Sequence, residues 1–157
     1  MSFYVKKLYS NELGWRGGKP NKAGKFLFVS KKENVINFFP THNSDEIDPS
    51  MSLGIIVHDM KRLVNAEYIY HSNELSKHQG KDRRIYLNEE IDPNGSYFQP
   101  GHYIVFFKYF DEVDKEIKFI LYRFTPADEE YNKLEKATEG NNHLIFNNLD
   151  FIQTFDR

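Results

Sequence analysis

The sequence predicts a mainly β domain with two or three short helices, of the α+β class. Three observations lead to this prediction. Short apolar runs of strand length are separated by turn residues such as Pro93-Asn94-Gly95 and Pro100-Gly101. The chain contains 14 Phe and 10 Tyr, and aromatic rings pack well on a pleated surface. Helix signals are confined to two short stretches, so strands are expected to form the body of the fold.

The predicted strands are short and rich in β-branched and aromatic residues. They comprise residues 3–9, 25–29, 52–59, 65–72, 83–90, 102–110 and 116–124, with two short final candidates at 143–147 and 150–155. Residues 111–115 join two of these runs as a hairpin connection. About seven strands of this length favour a largely antiparallel barrel or sandwich.

Two helices are predicted from their end signals. Ser30 and Glu33 have the spacing of a capping box, which predicts a short helix over residues 31–38 that Pro40 ends. A second helix is predicted over residues 126–138, with Pro126 in its first turn and Gly140 at its C-terminal cap.

The length of 157 residues favours a single domain over residues 1–157. The absence of cysteine excludes disulfides, thiolate nucleophiles and cysteine-based metal sites. We find no signal peptide and no apolar run near the roughly 20 residues that cross a bilayer. A soluble, cytoplasmic protein with no membrane partner is therefore expected.

Charge is unevenly distributed along a chain whose net charge is −2. Residues 1–34 contain eight Lys or Arg against two acids, and residues 61–84 contain six against three, whereas residues 111–157 contain eleven acids against six bases. If the two basic blocks meet in space, the surface is polarised and can face a polyanion. The alternative is an ordinary solvated face.

The strongest catalytic pattern is Glu116-x-Lys118 at the start of a predicted strand. Metal-dependent nucleases use such a pair with an upstream aspartate, for which Asp92 or Asp111 would serve, to hold a divalent cation and polarise water. An exposed hairpin carries the same alternation as a solvated face. Because the histidines and serines fit no catalytic or metal motif either, we expect no catalytic residue, metal site or cofactor in this domain.

The loop that precedes the second strand is basic and rich in glycine. Glycine lets the backbone approach a phosphate closely, because it has no Cβ, and basic side chains in loops neutralise phosphates. The candidate DNA-binding residues of this loop are Arg16, Gly17, Gly18, Lys19, Lys22 and Lys25.

A second basic loop contains one acid among its bases. Its candidate DNA-binding residues are Lys77, His78, Lys81, Asp82, Arg83 and Arg84. In the major groove a carboxylate accepts a hydrogen bond from the N4 amino group of cytosine, while Arg or Lys binds O6 and N7 of guanine. Alternatively, Asp82 pairs with Arg83 or Arg84 in a surface salt bridge of little energetic worth.

Several segments together resemble the N-terminal effector domain of EcoRII-type restriction endonucleases. They are VKKLYSNELGWRGG (5–18), FFP (38–40), DPS (48–50), YHSN (70–73) and QGKDRRIYL (79–87), in the order of that family, and the resemblance covers roughly residues 3–125. It implies a B3-like DNA-binding pseudobarrel, the fold shared with plant transcription factors. In this family two loops grip the major groove, and a separate C-terminal domain cuts the DNA.

The resemblance assigns the two basic loops as these arms. We call residues 16–25 the N-arm and residues 77–84 the C-arm. It implies that the chain is the N-terminal part of a longer, monomeric restriction enzyme that recognises double-stranded DNA at a CCWGG-like site (W is A or T), with Mg²⁺ needed in the separate nuclease domain. Three departures from the family concern base assignment: Asp82 replaces the usual Glu, Gly80 stands near a family Arg, and residues 20–23 are an insertion.

Two other functions remain open at the level of sequence. One is a self-contained Mg²⁺-dependent nuclease that uses Glu116 and Lys118. The other is a non-catalytic barrel whose basic loops bind acidic partners or single-stranded nucleic acid.

Overall fold

One sheet of eight strands forms the body of the protein in the computed structural model, which describes residues 2–10, 12, 15–16, 19–20, 26–72 and 81–154. The strands in chain order are β1 (Ser2–Lys7), β2 (Trp15–Arg16), β3 (Lys19–Pro20), β4 (Phe26–Val29), β5 (Ser50–Val57), β6 (Arg62–His71), β7 (Asp82–Tyr86), β8 (Tyr103–Asp111), β9 (Glu116–Phe124) and β10 (Leu144–Phe146). The helices are α1 (Glu33–Ile36) and α2 (Glu129–Thr138), with short 3-10 turns at His58–Met60 and Pro93–Gly95. β2 and β3 pair with each other in a separate two-stranded ribbon.

The large sheet has the strand order β10-β1-β8-β9-β5-β6-β7-β4. Its pairs are antiparallel except for β5 and β9, which run parallel over residues 55–57 and 119–121. The sheet curls into a half-barrel in which β10 and β4 are the two ends. The predicted mainly β pseudobarrel is confirmed, with eight strands in the sheet where about seven were expected.

Core residues pack on both faces of the sheet, and this explains why β1, β8 and β9 read as continuous apolar runs. In β1, Tyr4 points into a cluster with α1, while Phe3 and Val5 point into a second cluster that contains Tyr131 and Leu134 of α2. The middle strands are therefore covered on both sides and form a rigid support for the loops.

Phe39, just after α1, is the centre of the first cluster. It is 2% exposed and directly precedes Pro40. Its ring centroid lies 5.1–5.8 Å from those of the surrounding rings, which are Tyr4, Phe38, Tyr68, Phe106 and Phe119. Phe39 thus joins α1 to strands from both halves of the curled sheet.

The ends of several elements differ from the sequence-based prediction. The predicted capping box is wrong: α1 spans only Glu33–Ile36, and the Ser30 hydroxyl accepts a hydrogen bond from the Lys32 backbone at 3.2 Å instead. Ser side chains often bond the backbone two residues on, which competes with helix capping. The second helix is confirmed but begins at Glu129, because the Asp128 carboxylate accepts from the Thr125 backbone and holds the preceding turn.

The predicted strand over residues 150–155 does not form in the described part of that segment, residues 150–154, which are turn and coil. Leu149 and Ile152 are both 5% exposed and fill the cluster beneath α2 from a turn. Their apolar character therefore reflects burial, not a strand. Within the described residues, no helix is long and apolar enough to cross a membrane.

Replacing Phe39 by Ala should cost about 3–5 kcal/mol of unfolding free energy, because it leaves a cavity among five aromatic rings. Urea unfolding followed by circular dichroism measures the loss. The matched control is Phe110→Ala, since Phe110 is 48% exposed and its truncation should change the free energy by about 0.5 kcal/mol or less. Equal losses in the two variants would contradict the central role of Phe39.

Candidate nucleic-acid interface

The last three residues of the predicted C-arm lie in a strand. β7 begins at Asp82 and pairs with both β6 and β4. Because successive side chains of a strand point to opposite faces, Asp82 and Arg84 share one face while Arg83 shares the other with Ile85. Ile85 is 1% exposed and belongs to the core, so the face of Asp82 and Arg84 is the outer one.

Asp82 and Arg84 form a two-point ion pair on this outer face. Arg84 donates from Nε to Oδ1 and from Nη2 to Oδ2 of Asp82, both at 3.0 Å. The two side chains are 14% and 18% exposed. Burial by itself lowers the pKa of Arg84, but the hydrogen bonds to Asp82 and Tyr86 outweigh it and raise the pKa overall. The pair is thus a shielded, geometrically fixed unit and not a loose surface salt bridge.

Two phenylalanine rings of β4 support the Arg84 guanidinium. The guanidinium carbon lies 4.2 Å from the ring centroid of Phe26 and 5.4 Å from that of Phe28. Phe26 directly follows Lys25, the last residue of the N-arm. A residue at the base of the C-arm therefore lies on a residue at the base of the N-arm, through a cation–π contact.

The same outer face continues across β7 and β6. Tyr86 and His71 are joined by a hydrogen bond between the hydroxyl and Nε2 at 3.1 Å, and the Tyr86 ring lies 5.9 Å from Phe26. His71 is the cross-strand partner of Asp82. Aromatic rings and one imidazole thus border the Asp82–Arg84 pair on its own face of the sheet.

Arg83 lies on the opposite face of β7. Its guanidinium carbon is 3.9 Å from the ring centroid of Tyr70, its cross-strand partner in β6. The positive charge also reaches His42, whose pKa is lowered mainly by burial and further by Arg83. The two consecutive arginines, which the sequence presents as neighbours, are therefore separated by the sheet.

Glu12 connects the start of the N-arm region to β4. Its Oε1 accepts from Lys6 Nζ at 2.7 Å, and its Oε2 accepts from the backbone of Phe28 at 2.7 Å. Lys6 and Glu12 are 2% and 1% exposed. The acid that stands out in an otherwise basic stretch is therefore internal and does not oppose the basic side chains at the surface.

The remaining predicted residues divide into two groups. Arg16 and Lys19 are cross-strand partners in the β2–β3 ribbon, and Lys81 is exposed directly before β7. The rest lie outside the described residues, so their assignment stays a prediction: Gly17, Gly18, Lys22, Lys25, Lys77 and His78.

The Glu-x-Lys pattern forms a structural ion cluster on the β8–β9 hairpin. Lys118 is 5% exposed and donates to Asp111 at 2.6 Å and to Asp114, and these hydrogen bonds raise its pKa. Glu116 is 4.0 Å away and largely exposed. The Lys118 stem lies against Gly54 of β5, where a Cβ would approach its Cγ to 3.3 Å.

The carboxylate of Asp92, the other aspartate considered for a nuclease, accepts hydrogen bonds from backbone amides. It is 3% exposed, and its Oδ1 accepts from the amides of Tyr97 and Phe98 at 2.8 and 3.1 Å. Among the residues that the structure describes, no group of three His, Asp or Glu side chains could hold a metal ion.

Sequence reasoning missed the aromatic residues that support the arginines. Phe26, Phe28 and Tyr70 read as strand residues with no functional signal. Their role follows from cross-strand pairing, which places Phe28 opposite Arg84 and Tyr70 opposite Arg83. Alternation along the predicted strand over residues 83–90 separates Arg83 from Arg84, and a start one residue earlier would have placed Asp82 on the face of Arg84.

The Phe26–Arg84 contact should be measurable as an interaction energy. Phe26→Leu and Arg84→Met should each destabilise the fold, and the double variant should lose about 1 kcal/mol less than the sum, because the cation–π contact is lost once. Urea unfolding of the four proteins gives the coupling. The control cycle is Phe26→Leu with Arg83→Met, which should be additive since Arg83 lies on the other face. Equal coupling in both cycles would contradict the assignment.

Comparison with solved structures identifies the fold. The B3 domain of the UbaLAI restriction endonuclease, solved with cognate DNA, matches with a TM-score of 0.56 and 13% sequence identity over 92% of this chain and 84% of that chain. The N-terminal domain of Helicobacter pylori LlaJI.R1 matches with a TM-score of 0.54 and 13% identity over 95% of this chain and 100% of that chain.

No protein-family model and no curated protein sequence matches the chain. The likeness therefore lies in the path of the backbone, while most side chains differ. The resemblance seen in the sequence is confirmed at the level of the fold: this chain is a B3-like pseudobarrel.

Proposed function

We propose that this chain binds double-stranded DNA at a specific sequence and is the effector, target-recognition domain of a type II restriction endonuclease, without catalytic activity of its own. The observation that carries the proposal is the contact between the bases of the two arms, where the Asp82–Arg84 pair lies on Phe26. The fold supports it, since it is shared with the B3 domain of the UbaLAI restriction endonuclease, which was solved with its cognate DNA.

The Asp82–Arg84 pair has the chemistry that reads a G·C pair. A guanidinium has five N–H donors, so Arg84 keeps donors beyond the two that bind Asp82. Those N–H groups can donate hydrogen bonds to O6 and N7 of guanine. Each oxygen of the Asp82 carboxylate has a further lone pair, which can accept a hydrogen bond from the N4 amino group of cytosine. Such a unit fits a CCWGG-like target, in which G·C pairs flank a central A or T.

The other arm residues complete the proposed interface. Arg83 and Lys81 contact further guanines in this proposal, and His78 is another candidate residue of the C-arm. Lys19, Lys22, Lys25 and Lys77 hold phosphates or enter the groove from the opposite side, which sets register and orientation. Arg16, Gly17 and Gly18 are the remaining candidate residues of the N-arm. Both arms thus clasp one duplex in the major groove.

The proposal includes a longer chain. A C-terminal nuclease domain, active with Mg²⁺, would cut the DNA in a monomeric cytoplasmic enzyme. Selection of bound duplexes from a random pool identifies the target sequence. Gel shifts at several salt concentrations compare the affinity for duplex DNA with the affinity for single-stranded DNA. Equal affinity for all duplexes, or preference for single strands, would contradict sequence-specific duplex binding.

Asp82→Ala should relax base preference with a modest loss of affinity. The reason is that the carboxylate rejects bases without an amino donor, a discrimination of about 1–3 kcal/mol at one base pair. Fluorescence anisotropy with duplexes that vary one G·C pair measures this. Glu112→Ala is the control, since Glu112 is 80% exposed on the β8–β9 hairpin and outside both arms. An unchanged base preference in Asp82→Ala would show that Asp82 does not read a base.

Lys22→Ala should weaken binding to all duplex sequences alike. Loss of one phosphate contact should also reduce the slope of log K against log salt concentration by about 1. Lys136→Ala, in the last turn of α2, is the matched control and should leave affinity and slope unchanged. A change of base preference in Lys22→Ala would instead assign Lys22 to base reading.

A further inference from the structure

Glu12 is buried where a stretch of basic side chains begins, and its contacts join three separate parts of the chain. Its carboxylate accepts from Lys6 in β1, from the backbone of Tyr9 at 3.3 Å in the turn after β1, and from the backbone of Phe28 in β4. These hydrogen bonds hold the end of β1 and the turn that follows it in a fixed position relative to β4. Residues 13–25, which contain the N-arm, lie between those two points.

Stability alone does not account for this pair. Taking two charges out of water is costly, and replacing a buried ion pair by apolar residues of similar volume is often neutral or stabilising. Lys6 and Glu12 are almost fully buried, and Lys6 faces the cluster that contains Tyr4 and Leu8. What apolar residues could not supply there is a directional acceptor for the amide of Phe28.

The position of Phe28 links Glu12 to the C-arm. Phe28 is the cross-strand partner of Arg84, and its ring lies under the Arg84 guanidinium next to Phe26. Arg84 in turn holds Asp82 by two hydrogen bonds. A continuous series of contacts therefore runs from Lys6 through Glu12, β4 and Arg84 to Asp82.

We propose that Glu12 is a positioning residue for DNA recognition: it holds the turn after β1 against β4, and thereby sets the two ends of the segment that contains the N-arm relative to the Asp82–Arg84 pair. The proposal rests on the proposed function of the two arms. Glu12 touches no DNA in this scheme. It acts through the Phe28 amide, and a glutamine carboxamide keeps one acceptor oxygen for that amide without charge, while it gives up the longer bond from Tyr9.

Two double variants separate the hydrogen bond from the charge. Lys6→Met with Glu12→Gln removes both charges but keeps an acceptor for the Phe28 amide. Lys6→Met with Glu12→Leu removes the charges and the acceptor at similar side-chain volume. Circular dichroism and urea unfolding establish that each is folded. If the Leu variant does not fold, Glu12→Asp keeps the charge and shortens the reach by one methylene.

The first measurement needs no DNA. Trp15 is the single tryptophan of the chain and lies in β2, directly before the N-arm, in the β2–β3 ribbon. Its fluorescence anisotropy decay should be faster in the Leu variant than in the Gln variant, and the Gln variant should match the wild type. A purely structural role for Glu12 would lower the unfolding free energy without this selective change at Trp15.

The second measurement uses a duplex that the wild type selects from the random pool. We expect the Leu variant to bind about tenfold more weakly, with a shallower salt dependence, because N-arm phosphate contacts are lost. Lys19→Ala should then add little to the Leu variant, whereas Arg83→Ala should retain its full effect. The Gln variant should bind within about threefold of the wild type.

The outcomes distinguish this proposal from the proposed function. If the wild type binds duplex specifically but the Leu and Gln variants have equal affinity, salt slope and Trp15 decay, the positioning role is overturned. If the wild type shows no duplex preference, the proposed function fails, and the Trp15 comparison still decides whether Glu12 fixes the N-arm. Equal Trp15 decay in that case would overturn the role of Glu12 as well.

Discussion

The pairing of β4 with β7 is the interaction on which the arrangement of the arms depends. β4 is the strand that leaves the N-arm, and β7 is the strand that leaves the C-arm. Four cross-strand pairs join them at the end of the large sheet, where the described residues give β4 no other strand neighbour. Glu12 accepts from the Phe28 amide, and the Arg84 guanidinium lies on the Phe26 ring. Both contacts therefore stabilise the strand pair that brings the described ends of the two loops together.

The middle of the sheet provides the rigidity that such loops require. β1, β8 and β9 are buried on both faces, so their side chains are held by close packing and cannot adjust independently. Binding residues in loops gain precision from a scaffold of this kind. On the β8–β9 hairpin, Lys118 forms ion pairs with the carboxylates of Asp111 and Asp114 and so stabilises the fold.

Particular residues show where sequence reasoning succeeded and where it did not. The apolar runs of β5, β6, β8 and β9 were predicted nearly to their ends, because their hydrophobicity extends over most of each strand. The predicted strand over residues 83–90 began one residue too late, because charged Asp82 gives no strand signal, whereas pairing with His71 of β6 includes it in β7. The capping box at Ser30 failed because a local bond competed with it.

The mainly β class, the positions of most strands, the two basic loops and the resemblance to B3-like effector domains follow from the order of residues along the chain. Those features depend on local periodicity and on the order of short motifs, which can be read along the chain. Three facts required the folded arrangement of the strands: Asp82 and Arg84 form an ion pair, Arg83 lies on the opposite face of β7, and Glu12 is buried. These facts depend on which strands become neighbours, and that is decided by burial of residues far apart in sequence.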